Sequence, residues 1–296
     1  MATDRQRIQT PDLLKGLAVI LMVQVHIMEL FVKADITEGP AGTISLFLGG
    51  VPAAPVFMIV MGYFLAFRQK SPSQLMTRGL KLFMAGMLLN IGLNAHLIIK
   101  VIFFGWGASV NIWPYIFGVD ILHLAGLSLL VIGILSSLFK NSILPWPGVI
   151  VAILVLPYFI APYSGDIPLV QYLLAFVYSN SSWSYFPLFP WLAYPLAGYS
   201  FHRIEKHYAE KSFRVNVKIS VFLVLLMFTL LTLNYGAAIS RALPAYYHHG
   251  APFFLWAIAF VAWWSILARA VEHTLGKTPV LRFIKWLGVH VTTVYI

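Results

Sequence analysis

The sequence contains no cysteine and few charged residues. Without cysteine, disulfide bonds and thiolate metal sites are excluded, and the thiol content gives no indication of the redox compartment. Charged residues make up only 10% of the 296 residues, whereas 60% are hydrophobic and the mean hydropathy is +0.83. These values exclude a soluble globular domain and predict an all-α, polytopic integral membrane protein.

Two further patterns are missing. No internal repeat is evident, which counts against an inverted-repeat transporter. No metal-ligand pattern such as H-E-x-x-H occurs, so we predict that the protein has no metal site.

Membrane-length apolar segments are present along the whole chain. Taking about 20 apolar residues as one span, we predict about nine transmembrane helices, near residues 13–33, 44–67, 79–99, 117–139, 148–162, 185–201, 219–237, 250–270 and from 286 onward. Glycine and proline in residues 49–55 and 187–195 predict breaks or kinks. Only eleven residues follow Lys285, about half the length that a span needs, so we expect the native chain to continue beyond Ile296.

Basic residues are distributed unevenly between the two ends of the predicted spans. With the N-terminus inside, the inner ends hold all of the 20 lysines and arginines except Lys33, Lys100 and Arg241. The positive-inside rule therefore predicts a cytoplasmic N-terminus and explains the net charge of +10 without nucleic acid. The same topology places the aromatic-rich residues 100–116 and 163–184 outside. The first span exceeds a signal-peptide core and lacks a small-x-small cleavage site, so we expect it to be retained as an anchor.

The first span carries ionisable residues along its apolar length. Lys15 and His26 share one helix face, because eleven residues correspond to about three turns and a rise of about 16 Å. Asp12 and Glu29 lie within about 60° of that face. Ionisable groups inside hydrocarbon are costly and usually functional. Histidine titrates near neutral pH and suits a general base, and Glu29 could orient its ring.

Candidate groups also lie on two other predicted spans. Asp120 and His123 share a helix face near the outer end of the fourth span, where they could form a structural hydrogen-bonded pair or take part in acceptor-side chemistry. Arg78 and Lys81 could be positive-inside anchors or ligands of a phosphate group. The sequence alone leaves both alternatives open.

Several blocks of the chain resemble a known family. The run from Arg7 through Asp12 and Lys15 to His26 resembles the opening signature of the membrane acyltransferase superfamily. Residues 53–62, 77–83, 118–126 and 186–198 resemble, in order and spacing, successive blocks of the heparan-alpha-glucosaminide N-acetyltransferase-like family. Together these blocks extend over residues 7–200.

The resemblance implies that residues 1–296 form a single transmembrane acyltransferase-like domain. Such an enzyme moves an acetyl or short acyl group from cytoplasmic acetyl-CoA to a sugar or glycan acceptor on the outer side. The expected location is a bacterial cytoplasmic membrane, and the expected partners are acyl-CoA, the acceptor and the lipid bilayer. The implied site residues are His26 as general base with Glu29, Asp120 and His123 for catalysis, and Lys15, Arg78 and Lys81 for CoA phosphates.

Two other functions remain open at this point. A proton-coupled transporter or flippase would use His26 and Glu29 as a proton relay. A membrane scaffold would explain the hydropathy but would leave the polar face of the first span without a role. The missing repeat symmetry and the predicted inner cations favour the acyltransferase over both.

Overall fold

The structure is a computed structural model that describes residues 9–140, 142–207 and 215–291. The described residues form helices joined by turns and loops, with a single β-bridge between Val119 and Ser184, so the predicted all-α fold is confirmed. The α-helices in chain order are α1 (Gln9–Phe31), α2 (Ala34–Thr37), α3 (Pro40–Gly50), α4 (Ala54–Arg68), α5 (Pro72–Leu93), α6 (Ala95–Phe103), α7 (Trp113–Ile116), α8 (Ile121–Phe139), α9 (Pro145–Val155), α10 (Pro168–Ala175), α11 (Leu188–Trp191), α12 (Ala193–His207), α13 (Val215–Leu231), α14 (Leu233–Arg241), α15 (Leu243–Tyr247), α16 (Ala251–Leu275) and α17 (Pro279–Val289).

Several of these helices are long and apolar enough to cross a membrane. In the described part of the chain, three single helices qualify, namely Gln9–Phe31, Ile121–Phe139 and Ala251–Leu275, and so does the stretch Pro40–Arg68, which comprises α3, α4 and the short turn between them. Two bent pairs qualify jointly, Pro72–Leu93 with Ala95–Phe103 and Ile219–Leu231 with Leu233–Arg241. The protein is therefore an integral membrane protein with four to six candidate spans. The predicted number of nine spans is not confirmed.

Two spans that were predicted as continuous helices are bent. The axes of α5 and α6 differ by 60° across Asn94, whose side-chain Nδ2 donates to the Asn90 carbonyl at 2.9 Å. The axes of α13 and α14 differ by 57° across Thr232, whose Oγ1 donates to the Phe228 carbonyl at 2.6 Å. Side chains that bond to preceding carbonyls compete with the hydrogen bonds of the helix and promote such bends.

The structure agrees with one of the other predicted helix boundaries and differs from another. The break predicted at residues 49–55 is present, because α3 ends at Gly50 and α4 begins at Ala54. The helix predicted from residue 286 begins earlier, at Pro279, because Thr278 caps its N-terminus by accepting a hydrogen bond from the Leu281 N–H. The topology prediction also used Arg5, Arg7, Lys211, Arg214 and residues 292–296, which lie outside the described residues.

The chain forms two compact units, of which the first comprises Met1–Met61, Lys206–Tyr246 and Pro252–Ile296. Within this unit α1 packs closely on α17, because glycine lies at both contact points. A Cβ atom on Gly16 would clash with the Ile284 carbonyl, and one on Gly288 would clash with the Asp12 carbonyl. Small residues allow this close approach of membrane helices. The first unit thus holds Asp12, in the first turn of α1, against α17.

The second unit comprises Gly62–Glu205 and Tyr247–Ala251. Within this unit, α5 packs closely along α8. Asn90 of α5 is buried and its Nδ2 donates to the carbonyls of Ile116 at 3.1 Å and Gly118 at 2.8 Å. These bonds fix the segment that leads into α8, and so they fix the position at which Asp120 begins that helix.

Candidate active site

His26 and Glu29 are in contact in the second half of α1. Nδ1 of His26 lies 3.4 Å from Oε2 of Glu29, a contact that the helix allows because the two residues are one turn apart. The His26 side chain is 57% exposed and that of Glu29 is 23% exposed. Nε2 of His26 has no hydrogen-bond partner among the described residues. The histidine can therefore approach a ligand while the carboxylate holds its other nitrogen.

Asp12 and Lys15 form a second ion pair, at the beginning of α1. Nζ of Lys15 lies 3.0 Å from Oδ1 of Asp12, and both side chains are largely buried. The carboxylate in the first turn also interacts favourably with the helix dipole. The polar face predicted for the first span is thus present on one continuous helix, with an ion pair near its beginning and the His26–Glu29 pair near its end.

Arg78 and Lys81 are exposed on α5. Neither makes a hydrogen bond or an ion pair among the residues that the structure describes. Both belong to the second unit, whereas Lys15 belongs to the first. The grouping of these three cations around CoA phosphates therefore stays a prediction.

Asp120 and His123 meet at the beginning of α8. Asp120 is the N-cap residue, and its Oδ1 accepts hydrogen bonds from the N–H of Leu122 at 2.8 Å and of His123 at 3.1 Å. Nδ1 of His123 lies 2.8 Å from the same Oδ1 and 3.3 Å from the Asp120 nitrogen. The Asp120 N–H donates to Nδ1 and requires a lone pair on this nitrogen, whereas the 2.8 Å contact with Oδ1 requires a proton there, so the two contacts compete for Nδ1.

The His123 ring is completely buried. Phe83 and Phe176 pack against it with ring centroids 5.3 and 5.2 Å away. Gly86 faces Nε2 so closely that a Cβ there would lie 2.9 Å from this atom. Nε2 has no hydrogen-bond partner in the described part of the chain. No substrate can reach this nitrogen in the present conformation.

Two polar contacts of the second unit were missed by the sequence analysis. The hydroxyl of Tyr194 lies 3.0 Å from Nε2 of His249, and both residues are buried. The hydroxyl of Tyr63 donates to Oε2 of Glu205 at 2.8 Å. These partners are 55 and 142 positions apart in the chain. No local pattern in the sequence brings them together.

His248 lies in the turn between α15 and α16, outside the candidate spans. Burial lowers the pKa of its imidazole from the ordinary value of 6.5, and an interaction with the Ser181 backbone opposes part of this effect. Desolvation disfavours the charged form of histidine. Burial therefore favours the neutral form of this side chain.

The described residues contain no group of three His, Asp or Glu side chains that could hold a metal ion. The absence of a metal site therefore stays a prediction.

Comparison with known proteins decides the family. Residues 7–233 match the family model described as heparan-alpha-glucosaminide N-acetyltransferase, catalytic. The chain belongs to this family. As a family member it is a membrane transferase of the acetyltransferase type, and the matched region contains every residue predicted for catalysis or CoA binding. Neither a curated protein nor a solved structure matches the chain.

Proposed function

We propose that the protein transfers an acetyl or short acyl group from cytoplasmic acyl-CoA to a sugar or glycan acceptor on the outer side of the membrane. The observation that carries this proposal is the exposed imidazole of His26 beside the Glu29 carboxylate, within the region that matches the acetyltransferase family. A bacterial cytoplasmic membrane, a cytoplasmic N-terminus and about nine spans belong to the same proposal.

The proposed reaction requires one base. The acceptor oxygen or nitrogen attacks the thioester carbonyl, so that a C–O or C–N bond forms and the C–S bond breaks. His26 takes the proton of the attacking group on Nε2, and this proton then passes to the CoA thiolate. The products are the acylated acceptor and CoA. General base catalysis of this kind contributes about 100-fold to 10,000-fold to the rate.

Glu29 acts as a positioning residue in this scheme. Its carboxylate lies 3.4 Å from Nδ1 and fixes the proton on that nitrogen, so that Nε2 carries the lone pair. It also stabilises the imidazolium that forms when the acceptor proton is taken up. This division of roles is the one that a histidine–carboxylate pair performs in acyl transfer enzymes.

Accessibility distinguishes His26 from His123. A general base must come within hydrogen-bond reach of the proton that it removes. His26 is exposed, whereas the His123 ring is enclosed by Phe83, Gly86 and Phe176. We therefore assign the base to His26 and interpret the Asp120–His123 pair as the N-terminal cap of α8.

The donor side of the proposal rests on cations. Arg78 and Lys81 are exposed and have no acidic partner among the described residues, so their charges are available to CoA phosphates. Lys15 already pairs with Asp12 at 3.0 Å, so a phosphate would have to compete with this carboxylate. Arg78 and Lys81 are accordingly the stronger candidates for phosphate contacts.

The proposal is tested by incubating the purified protein in lipid nanodiscs with labelled acetyl-CoA and a panel of monosaccharides. Saturable binding of acetyl-CoA and label transfer to a sugar are expected, with CoA alone as the control for binding that does not depend on the acyl group. If the protein binds no acetyl-CoA and labels no acceptor, the proposal is wrong. Movement of a sugar or a lipid without acylation would instead support the transporter.

A further inference from the structure

The guanidinium of Arg203, on α12, is held in place by groups that carry no negative charge. Its Nη1 donates to the Lys140 carbonyl at 3.2 Å. Its Cζ atom lies 5.8 Å from the ring centre of Trp146 and 5.9 Å from that of Tyr199, so that it makes two cation–π contacts. All four residues belong to the second unit. These contacts orient the guanidinium but leave its charge unneutralised.

The aromatic rings beside Arg203 are themselves fixed. Trp146 is completely buried, its Nε1 donates to the Ser142 carbonyl at 3.1 Å, and its ring centroid lies 4.4 Å from that of Tyr199. Arg203 itself is partly exposed. A guanidinium has five N–H donors in a planar fork, and among the described residues Arg203 uses one of them, for the Lys140 carbonyl. The other donors are available to a phosphate, whose oxygens match the fork.

Lys140 brings a second positive charge to the same place. It is the C-cap residue of α8, it is exposed, and its own carbonyl is the group that Arg203 binds. Its ammonium stands on a flexible four-carbon stem, so it can approach an anion that the guanidinium holds. Neither cation has an acidic partner among the residues that the structure describes.

Two further features of the surroundings favour an anion. Helix α9 begins at Pro145, one residue before Trp146, so the positive end of its dipole lies beside Arg203. The acidic residue nearest to Arg203 in the sequence is Glu205, which is two positions further along α12 and therefore on another side of this helix. There its Oε2 accepts a hydrogen bond from the hydroxyl of Tyr63 at 2.8 Å.

Exposed apolar side chains flank Lys140 along the chain. Leu138, near the end of α8, is 66% exposed, and Leu144, directly before α9, is 87% exposed. A soluble anion leaves such side chains in water, whereas the hydrocarbon chain of a lipid covers them. The positive-inside rule predicts that Lys140 and Arg203 both lie at the inner ends of spans, where the leaflet carries a negative surface potential from anionic lipids. These features favour a lipid phosphate over a soluble one.

We propose that Arg203 and Lys140 bind the phosphate of an anionic glycerophospholipid, with an acyl chain lying along Leu138 and Leu144. The guanidinium donates to the phosphate oxygens, and the ammonium adds a second attractive charge. A zwitterionic lipid binds less well, because these two cations repel its own ammonium group. The proposal does not depend on acyl transfer, and neither cation is among the residues proposed to contact CoA.

Native mass spectrometry of the purified protein in detergent measures lipid binding directly. The probes are phosphatidylglycerol and phosphatidylcholine with identical dioleoyl chains, and phosphatidylglycerol is expected to bind at the lower concentration. Glycerol 3-phosphate and CoA serve as soluble competitors and should not displace the bound lipid at equal concentration. If either one does displace it, the site binds a soluble phosphate and the assignment to a lipid is wrong.

Substitutions of the two cations test the site itself. Arg203→Gln and Lys140→Gln should each weaken phosphatidylglycerol binding about fivefold, because each removes one cation that attracts an anionic lipid. Arg203→Lys keeps the charge but not the planar fork, and its affinity should lie between those of Arg203→Gln and the unmodified protein. The matched control is Arg282→Gln on α17, because Arg282 is also exposed and is also predicted at an inner end.

Three results would overturn the inference. The first is an equal loss of lipid affinity in Arg203→Gln and Arg282→Gln, since any surface cation would then serve as well. The second is equal binding of the two lipids by the unmodified protein. The third is unchanged phosphatidylglycerol affinity in Lys140→Gln, which alters one exposed side chain and therefore decides the question even if Arg203→Gln fails to fold.

Discussion

The imidazole of His26 and the carboxylate of Glu29 lie one turn apart on α1, with 3.4 Å between Nδ1 and Oε2. Asp120 and His123 repeat this combination with the same sequence separation of three, yet their ring is completely buried. The chemistry of the two pairs is similar, and their surroundings differ. Under the proposed function, this difference in exposure favours His26 over His123 as the base.

Replacing His26 is the direct test of the proposed base. His26→Ala should lower the rate of acyl transfer by about 100-fold to 10,000-fold while leaving acetyl-CoA binding unchanged, because the base acts only in the chemical step. Steady-state kinetics and equilibrium binding measure the two effects. His96→Ala is the control, since His96 is exposed and lies outside the predicted site. Near-normal transfer by His26→Ala would show that the base is another residue.

The role of Glu29 predicts a different kinetic signature. Glu29→Gln keeps the size of the side chain but removes the charge that is proposed to stabilise the imidazolium of His26. We expect a lower kcat with an unchanged KM for acetyl-CoA, and partial recovery in Glu29→Asp. A change confined to KM would place Glu29 in substrate binding rather than in positioning of His26.

The Asp120–His123 pair should matter for stability rather than for the reaction. Asp120→Ala removes the N-cap of α8 and should cost about 0.5–2 kcal/mol of stability, which thermal unfolding in detergent can measure. Asp120→Asn retains a capping oxygen and should unfold close to the temperature of the unmodified protein. The turnover per folded molecule should be unchanged in both variants. A stable Asp120→Asn variant that no longer transfers acyl groups would assign catalysis to this pair.

The contacts that the sequence predicts best are those within one helix. His26 with Glu29, and Asp120 with His123, are each three residues apart, so helical geometry alone brings them together. At the bend, the Asn94 amide donates to the Asn90 carbonyl and also lies near the Tyr115 carbonyl of α7, and the sequence pattern does not predict which partner this side chain takes. The Tyr63–Glu205 bond depends on tertiary packing and has no local signal.

The exposed cations of α5 predict the behaviour of the donor site. Arg78→Ala and Lys81→Ala should each weaken acetyl-CoA binding and reduce its dependence on salt, because each removes one charge that is proposed to face a phosphate. Titrations at two ionic strengths measure both effects. These variants are more informative than Lys15→Ala, which would also remove the 3.0 Å partner of the buried Asp12. If affinity and salt dependence are unchanged in both, these cations serve topology alone.

The orientation of the chain predicts the side from which introduced cysteines react. The absence of native cysteine makes single replacements unambiguous. Ser73→Cys, in the first turn of α5, should be labelled from the cytoplasmic side. Thr37→Cys, in α2, should be labelled from the outer side. An impermeant maleimide applied to intact cells and to inverted vesicles distinguishes the two. Labelling of both cysteines from the same side would contradict the predicted topology.

The lowered pKa of the His248 imidazole should make the stability of the folded protein depend on pH. Burial lowers the pKa of its imidazole below 6.5 in the folded protein, so on acidification the unfolded chain takes up a proton before the folded protein does. Stability therefore falls as the pH decreases from 6.5 toward the folded pKa, and above 6.5 this histidine has little influence. His248→Gln should lose less thermal stability than the unmodified protein between about pH 7.5 and about pH 5.5. The exposed His96 supplies the control, because His96→Gln should follow the unmodified protein over this range. Identical pH dependence of the unmodified protein and His248→Gln would show that this turn does not contribute to the acid sensitivity of the fold.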